Sequence, residues 1–322
     1  MKINAITMGD PAGIGPEIAV KGLMSNETYR NNTLIMGSEK VVRYYSEMLD
    51  NPYGLAVINN PEEFKAGKIN VINSVDISMD DFTVGEVSAI AGDAAYQYLE
   101  QAISLAMEDR LGAVITAPLN KEALHKGGHF YDGHTEIFAE LTGTKKYTMM
   151  LWSNIMSVVH VSTHVSLREA TNRVKKNRVM DCIKLAHDAM AKMGIENPKI
   201  AVAGLNPHAG ESGLFGDEDI EEIQPAVKEA QEKGYNVSGP LPPDTVFLQA
   251  SKGTYDIVVA MYHDQGHIPM KLLAFDSGVN VTLGLPIIRT SVDHGTAFDI
   301  AGQGIANEES IIAALDVCTR LN

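Results

Sequence analysis

Short apolar runs alternate with amphipathic stretches along most of this chain. The apolar runs, rich in branched residues, predict buried strands, among them residues 2–8, 32–37, 69–73, 111–116 and 257–261. Between them, apolar residues recur at helical spacing and predict helices over residues 16–24, 39–49, 84–108, 173–193, 219–233, 243–252 and 308–321. Strands that alternate with helices in this way favour a mainly parallel sheet covered by helices. We therefore expect an α/β fold.

The pattern shows no boundary between domains. A chain of 322 residues is long enough for one large domain or two of ordinary size. It contains no repeat period, no low-complexity tract and no linker rich in serine or proline. A second domain would therefore have to share the sheet of the first or be interleaved with it.

Composition narrows the range of partners. The net charge of −15 argues against nucleic acid or an anionic membrane, because both need a basic surface. A phosphorylated small molecule remains possible, since it needs only a local cationic pocket. Cys182 and Cys318 lie in apolar periodic segments and are predicted to be core thiols. The first residues reach turn residues too early for a signal peptide, and no apolar run is of membrane-spanning length, so we expect a cytoplasmic protein.

Three predicted strands each lead to a histidine at or just beyond the carboxyl end. The strands at 157–164, 199–203 and 257–261 lead to His164, His208 and His263 respectively. Ligands of open α/β sheets bind at the carboxyl ends of strands, and imidazole is a common ligand of zinc and related ions. No HExxH or CxxC pattern occurs, so a metal site would be assembled across the fold. Periodicity alone does not establish that the three meet, and each is open to a purely structural explanation.

Three other segments have both a ligand-binding and a structural interpretation. The turn GDPAGIGPE at 9–17 lacks GxGxxG, so a tight strand–helix turn explains it as well as a ligand loop does. Thr135 could cap the helix that follows it, or leave helix N–H groups free for an anion. Arg289, beyond the glycine-rich loop 277–286, offers the planar fork that phosphate favours; a surface arginine paired with an acid is the alternative.

A series of motifs occurs in order across the whole chain: TMGDPAGIGPEI, TAPLNK, DGHTE, STHVSLREA, NPHAGE, PPDTVF, YHDQGHIPMK, GVNVTLGLP and IRTSVDHGTAFDIAG. With them the chain closely resembles the 4-hydroxythreonine-4-phosphate dehydrogenase family of vitamin B6 biosynthesis. Two segments resemble the D-threonate/D-erythronate 4-phosphate dehydrogenase branch: His267-Ile268-Pro269 and Ala274-Phe275-Asp276. At the first of these segments the vitamin B6 enzymes have leucine and proline. We predict that His267 donates a hydrogen bond to the C2 hydroxyl or the carboxylate of the substrate. The alternative is that it points to solvent.

The resemblance implies a fold similar to isocitrate and isopropylmalate dehydrogenases, with two α/β domains around a cleft and no Rossmann cofactor domain. We therefore expect residues 1–322 to form one two-lobed catalytic unit, with interleaved lobes whose boundaries the sequence does not reveal. It also implies NAD, one divalent ion per site (zinc, cobalt, magnesium or manganese) and a homodimer whose sites are shared between subunits, with His263 contributed by the second subunit.

The resemblance also assigns residues to this site. It implies His164, His208 and His263 as metal ligands, and His134, Thr135, Lys271, Asn280 and Arg289 as substrate-binding residues. It associates the loop from Leu283 to Asp293, including Gly284, Leu285 and Pro286, with NAD. The proton-transfer residue is left open between Lys271 and Asp244.

The resemblance implies a reaction as well. Oxidation at C3 of a 4-phosphorylated four-carbon hydroxy acid would give a β-keto acid that loses carbon dioxide. The expected substrate is 4-phospho-D-threonate or 4-phospho-D-erythronate, which would yield dihydroxyacetone phosphate. The alternative is 4-phosphohydroxy-L-threonine of vitamin B6 synthesis. Two remote alternatives are a transferase of the phosphate-acyltransferase type and a non-catalytic protein that binds phosphosugar acids.

Overall fold

The computed structural model describes residues 2–274 and 278–322. Phe275 and Asp276 of the branch motif lie outside the described residues, as does Ser277. The described strands are β1 Asn4–Thr7, β2 Thr33–Gly37, β3 Leu55–Ile58, β4 Ile69–Asn73, β5 Ala113–Thr116, β6 Thr148–Trp152, β7 Ser157–His160, β8 Ile200–Ala203, β9 Val237–Leu241, β10 Ile257–Ala260, β11 Val279–Leu283 and β12 Ile288–Ser291.

Helices alternate with these strands, as the sequence predicts. The described α-helices are α1 Gly15–Ser25, α2 Glu27–Arg30, α3 Glu39–Met48, α4 Ala89–Met107, α5 Lys121–Lys126, α6 His134–Leu141, α7 Leu167–Arg173, α8 Lys176–Lys192, α9 Gln224–Glu232, α10 Pro243–Ser251, α11 His263–Ala274 and α12 Glu309–Leu321. Helix α4 begins later than predicted, because Ser88 is its N-cap and its side chain accepts a hydrogen bond from Ala91 N. The sequence pattern does not predict α11, since Gly266 and Pro269 lie inside it.

The chain divides into two compact units. The first consists of the residues up to Lys145 together with Leu285–Arg320. Its strands lie in the order β3-β4-β2-β1-β5-β12, and every neighbouring pair is parallel. Apolar side chains such as Leu34, Val114 and Phe138 form its core. Such a sheet needs both faces covered, which explains why its strands are almost entirely buried.

The second unit is the continuous segment Lys146–Gly284. Its strands lie in the order β11-β6-β7-β10-β8-β9. Strands β7, β10, β8 and β9 are parallel, whereas β6 is antiparallel to both β7 and β11. The prediction of a mainly parallel α/β sheet is confirmed. Both cysteines are buried and free, as predicted.

Strand order fixes where the polar loops of the second unit lie. Strands β7 and β10 are parallel neighbours, with Val158 opposite Val258 and His160 opposite Ala260. The residues that follow each strand therefore emerge at the same edge of the sheet. No helix in the part of the chain that the structure describes is both long and apolar enough to cross a bilayer.

Candidate active site

Two of the three strand-end histidines approach each other in the second unit. His263 is the first residue of α11, and His164 lies in the loop after β7. Their ring centroids are 5.7 Å apart, with 46° between the ring planes. Both line a cavity of about 530 Å³ whose wall also includes Thr163, Ser166 and Tyr262. The two histidines thus lie at the same edge of the sheet, although β7 ends at His160, well before His164.

The surroundings of His263 suit a metal ligand. Its Nδ1 atom is 2.7 Å from Asp264 Oδ1, and its side chain is 36% exposed. An ionised carboxylate can only accept, so Nδ1 donates this hydrogen bond. In neutral His263 the proton is then on Nδ1, and the lone pair of Nε2 is available to a cation. Histidines that bind metals usually donate their other N–H group to a carboxylate or carbonyl in this way. The contact between His263 and Asp264 therefore has the arrangement that is usual for a metal-binding histidine.

His208 does not join this pair within one chain. It lines a separate cavity of about 800 Å³ together with Glu211, Asp219, Gln224 and other residues. Within residues 2–274 and 278–322, no group of three or more histidine, cysteine or carboxylate side chains is close enough to hold a metal. A single chain therefore brings together two of the predicted ligands and leaves the third apart.

The turn that carries His208 is strained. His208, Ala209, Glu211 and Ser212 all have φ between 43° and 57°, in the left-handed region. That region costs roughly 1–2 kcal/mol per residue with a side chain. The buried Asp219 carboxylate holds the start of the turn by accepting hydrogen bonds from the backbone N–H groups of residues 205 and 206, at 2.9 and 3.1 Å. Strain of this kind is concentrated at functional sites.

A second polar group lies in the first unit, around Arg289. This residue is only 2% exposed, so its interpretation as a surface arginine is wrong. Its Nη2 donates to Thr116 Oγ1 at 2.8 Å, and its Cζ lies 5.6 Å from the ring centroid of Phe138. Burial lowers the pKa of Arg289 to about 9, while the nearby Glu136 raises it. A buried cation of this kind is stabilised by an anionic ligand.

His134 belongs to the same group. Burial, and then the charge of Arg289, lower the pKa of His134 well below its usual value, so the ring is neutral. Its Nε2 is buried without a hydrogen bond of normal geometry. Helix α6 begins at His134 with Gly133 as its N-cap, and no side chain caps it. Thr135 therefore lies inside the first turn, and its predicted capping role is wrong. The backbone N–H groups of that turn, Arg289 and His134 make an anion-binding combination.

The remaining predicted substrate and proton-transfer residues lie in the second unit. Lys271 is exposed on α11, and Asp244 is exposed in the first turn of α10. Asn280 is in β11, where its Nδ2 is 3.0 Å from Met149 Sδ and its Oδ1 is buried without a hydrogen bond. The predicted substrate-binding set is thus divided between the two units.

The predicted cofactor loop contains two core residues. Leu283 and Leu285 are 7% and 8% exposed. Gly284, between them, has a φ of 95°, and a side chain there would collide with the Lys146 backbone. Pro286 is exposed, and Asp293 N donates to Ser310 Oγ at 3.4 Å. The two leucines therefore offer little surface to a cofactor, and their assignment stays a prediction.

The glycine-rich turn at 9–17 is packed against its own unit. Asp10 Oδ1 accepts from Ala12 N at 2.9 Å, and a side chain at Gly13 would collide with Thr296. The buried Glu17 accepts from Ala306 N at 2.7 Å and pairs with Lys21 at 2.8 Å. The structural interpretation of this segment, a tight strand–helix turn, accounts for these contacts.

Sequence reasoning missed a stack of imidazole rings behind His263. His267 stacks on His263 with ring centroids 3.6 Å apart and planes at 10°, and His160 lies 4.7 Å from His267. His267 is 7% exposed, so it does not point to solvent. The i, i+4 spacing of His263 and His267 would have placed them on one helix face, had α11 been predicted.

The fold is a two-unit α/β fold similar to that of isocitrate dehydrogenases. The isocitrate dehydrogenase of Methylococcus capsulatus aligns with a TM-score of 0.51 at 14% identity, covering 100% of this chain and 86% of that one. This likeness concerns the fold alone and agrees with the fold expected above.

Sequence comparison identifies the family. The model for pyridoxal phosphate biosynthetic protein PdxA matches residues 29–318, and the chain belongs to this family. It is 48% identical over 323 residues to the D-threonate 4-phosphate dehydrogenase of Pectobacterium atrosepticum, with 99% of each chain covered. It is also similar to the crystal structure of 4-hydroxythreonine-4-phosphate dehydrogenase from Klebsiella pneumoniae, with a TM-score of 0.90, 47% identity, and coverage of 100% of this chain and 99% of that one.

Proposed function

We propose that this chain is a metal- and NAD-dependent decarboxylating dehydrogenase of the cytoplasm that oxidises 4-phospho-D-threonate or 4-phospho-D-erythronate at C3. The products are dihydroxyacetone phosphate, carbon dioxide and NADH. The observation that carries the proposal is the approach of His164 and His263, beside the Asp264 carboxylate, at the ends of two neighbouring strands. The name of the Pectobacterium relative favours a C2 hydroxyl in the substrate. The name of the Klebsiella structure favours the alternative, 4-phosphohydroxy-L-threonine.

The proposed metal site consists of His164, His208 and His263. Three neutral imidazoles suit zinc or cobalt, while positions filled by substrate oxygens leave magnesium and manganese possible. Because His208 lines a separate cavity within one chain, we infer that a second subunit completes the set. The resemblance favours His263 as the residue contributed by that subunit. The approach of His164 and His263 within one chain makes His208 the other candidate.

The exposed face of α11 supports a homodimer. Ile268, Leu272 and Leu273 are 57%, 80% and 45% exposed on this helix. Three neighbouring apolar side chains in water favour a surface that a partner covers. Since His263 begins the same helix, association through α11 would bring a metal ligand close to the second subunit.

The proposed phosphate site is the group formed by Arg289, His134 and the first turn of α6. The guanidinium of Arg289 is buried, and its Nη2 already binds Thr116. A phosphate would compensate the desolvated charge, and the uncapped N–H groups of α6 favour the same anion. A local site of this kind overcomes the repulsion expected from a chain with a net charge of −15.

These residues divide the reaction between binding and proton transfer. A bound divalent ion would acidify the C3 hydroxyl and stabilise the negative charge that develops during decarboxylation. NAD would accept the hydride from C3. Asp264 holds the His263 ring in the orientation that leaves Nε2 available, and Arg289 with His134 holds the phosphate. Lys271 or Asp244 would remove the hydroxyl proton, and Lys271 would also bind an anionic end of the substrate.

Substrate choice is tested by NADH formation with purified, metal-loaded protein. We expect a higher kcat/KM for 4-phospho-D-threonate or 4-phospho-D-erythronate than for 4-phosphohydroxy-L-threonine. Equal or better turnover of the amino acid phosphate would overturn the substrate assignment and restore the vitamin B6 role. Ligand binding without turnover of any of the three would overturn the enzymatic function itself.

Mixed dimers test how the metal ligands are shared. His164→Ala and His263→Ala proteins, each inactive alone, are mixed, unfolded and refolded together. If His263 comes from the second subunit, half of the sites in each mixed dimer are intact and activity returns. If His208 is the shared ligand, this mixture stays inactive, whereas a mixture of His208→Ala and His263→Ala recovers. Recovery in neither mixture would contradict a shared site.

A further inference from the structure

The imidazole stack in the second unit extends from a proposed metal ligand into the protein core. His263 and His267 are stacked, with centroids 3.6 Å apart and planes at 10°; His160 follows at 4.7 Å from His267, with its plane tilted by 43°. His263 is partly exposed to the cavity, His267 is 7% exposed and His160 is fully buried. Two buried, polar rings thus lie behind the one ring that faces the cavity. Apolar side chains could fill the same space without the cost of desolvating polar atoms.

Local contacts fix the middle ring. His267 Nδ1 is 3.1 Å from the backbone carbonyl oxygen of His263, and because a carbonyl only accepts, Nδ1 carries the proton. Gly266 makes room for the third ring, since a side chain at this position would collide with the ring of His160. Burial lowers the pKa of His160 to about 3, followed by the effect of nearby His267, so His160 stays neutral. The stack is therefore closely packed on the side away from the cavity.

The first ring needs this support. The terminal torsion of histidine has broad, roughly two-fold preferences, so the rotamer alone does not hold the ring at one angle. Asp264 contacts only the Nδ1 edge of His263, and its own side chain is 71% exposed. The ring of His267 lies against the ring of His263, with the two planes within 10° of parallel. It therefore blocks rotation of the His263 ring out of its present plane, in which Nε2 points away from Asp264.

We propose that His267 is a positioning residue that sets the orientation of the His263 imidazole and thereby the affinity for the divalent ion, with His160 as the base of the stack. This inference rests on the proposed metal site. The positioning role replaces the predicted hydrogen bond from His267 to the C2 hydroxyl or carboxylate of the substrate, because the His267 ring lies between His263 and His160.

The test is calorimetric titration of the metal-free full chain with Co²⁺ or Zn²⁺ alone, without substrate. His267→Leu removes both the stacking face and the Nδ1–H group. We expect it to weaken metal binding about tenfold or more, as loss of partners that orient a metal ligand usually does. His267→Phe retains a flat ring over His263 and should recover most of the affinity. The visible spectrum of bound Co²⁺ should change in His267→Leu and return towards that of the unsubstituted protein in His267→Phe.

A matched control is His187→Leu. His187 is a half-buried histidine on α8 of the same unit and packs edge-on against Tyr235, with ring centroids 4.9 Å apart. It should leave metal affinity unchanged. If His267→Leu does not fold, as judged by circular dichroism, His267→Met replaces it in the same comparison.

The outcomes separate the two proposals. If His263→Ala binds metal as tightly as the unsubstituted chain, the proposed metal site is wrong. If His263→Ala loses the metal but folded His267→Leu or His267→Met binds it normally, the metal site stands and the positioning role is refuted. Equal weakening in His267→Leu and His267→Phe would also refute it, because a flat ring would then not suffice to orient His263.

Discussion

Replacement of Arg289 by lysine is the most direct test of the proposed phosphate site. The guanidinium is buried, its Nη2 binds Thr116 Oγ1 at 2.8 Å, and burial lowers its pKa to about 9. Arginine offers several N–H groups in one plane, so it can bind Thr116 and a phosphate oxygen together. Lysine keeps the charge but has a single, strongly hydrated ammonium group on a differently shaped side chain. It cannot reproduce both contacts in the same geometry.

The expected effect follows from the contact that is lost. A hydrogen bond to a charged group contributes about 1.5–3 kcal/mol, which corresponds to roughly a 10- to 150-fold change in binding. We therefore expect Arg289→Lys to raise KM for the phosphorylated substrate by a factor in this range. The change in kcat should be much smaller, because the phosphate does not react. Steady-state NADH formation gives both constants, and titration with inorganic phosphate tests the contact without turnover.

Arg30→Lys is the matched control for this experiment. Arg30 is 6% exposed in the same unit, and its Nη1 donates to the Leu23 carbonyl at 3.2 Å. Its substitution should leave KM unchanged. An unchanged KM in folded Arg289→Lys would show that Arg289 does not touch the substrate. A similar rise in KM for Arg30→Lys would attribute the effect to loss of stability in the first unit.

Three further predictions concern metal binding, stability and pH. Alanine at any one of the three predicted metal ligands should abolish turnover while circular dichroism shows an intact fold; normal turnover in chelator-treated buffer with defined metal would remove that histidine from the set. Glu17→Ala should lower the free energy of unfolding by about 3 kcal/mol in urea titrations, because it leaves the Lys21 ammonium, 17% exposed, without its carboxylate. Lys21 also donates to the carbonyls of residues 304 and 306, at 2.9 and 2.6 Å, and a loss below about 1 kcal/mol would show that these two contacts suffice. His160 has its folded-state pKa lowered to about 3, so the unfolded chain binds its proton first and stability falls as pH decreases below about 6.5. Metal-free protein should thus lose about 2 kcal/mol between pH 7 and pH 5 through this residue, and His160→Gln should lose correspondingly less.

The sequence predicts most elements of this fold because each buries a run of apolar residues. The strands of the first unit, such as β1 and β5, are buried on both sides and therefore appear as continuous apolar runs. The division into two units, by contrast, could not be predicted from the sequence. Strand β12 returns to pair with β5 after the whole second unit has intervened, and no change of composition marks the crossing. Only the pairing of distant strands reveals it.

The candidate sites could be predicted in part for the same reason. Placing histidines at strand ends predicts that some of them meet, but the path of the loop after each strand decides which ones. Strand β10 is the parallel neighbour of both β7 and β8. The loops carrying His164 and His263 converge, while the left-handed turn after β8 carries His208 into another cavity. The burial of Arg289 could not be predicted from the sequence either, because its partners Thr116 and Phe138 are distant in the sequence.

The segment from His263 to His267 shows how one short motif serves several distant partners. Gln265 accepts a hydrogen bond from Met261 N and donates one to the Gly204 carbonyl, both at 2.7 Å, so it ties the start of α11 to the turn that leads to His208. Gly266 admits the ring of His160. Gln265 and Gly266 thus contact residues far away in the chain, and a hydrophobic pattern cannot predict such contacts. A substitution at Gln265 should consequently disturb the loops of two predicted metal ligands together, although Gln265 itself binds no metal.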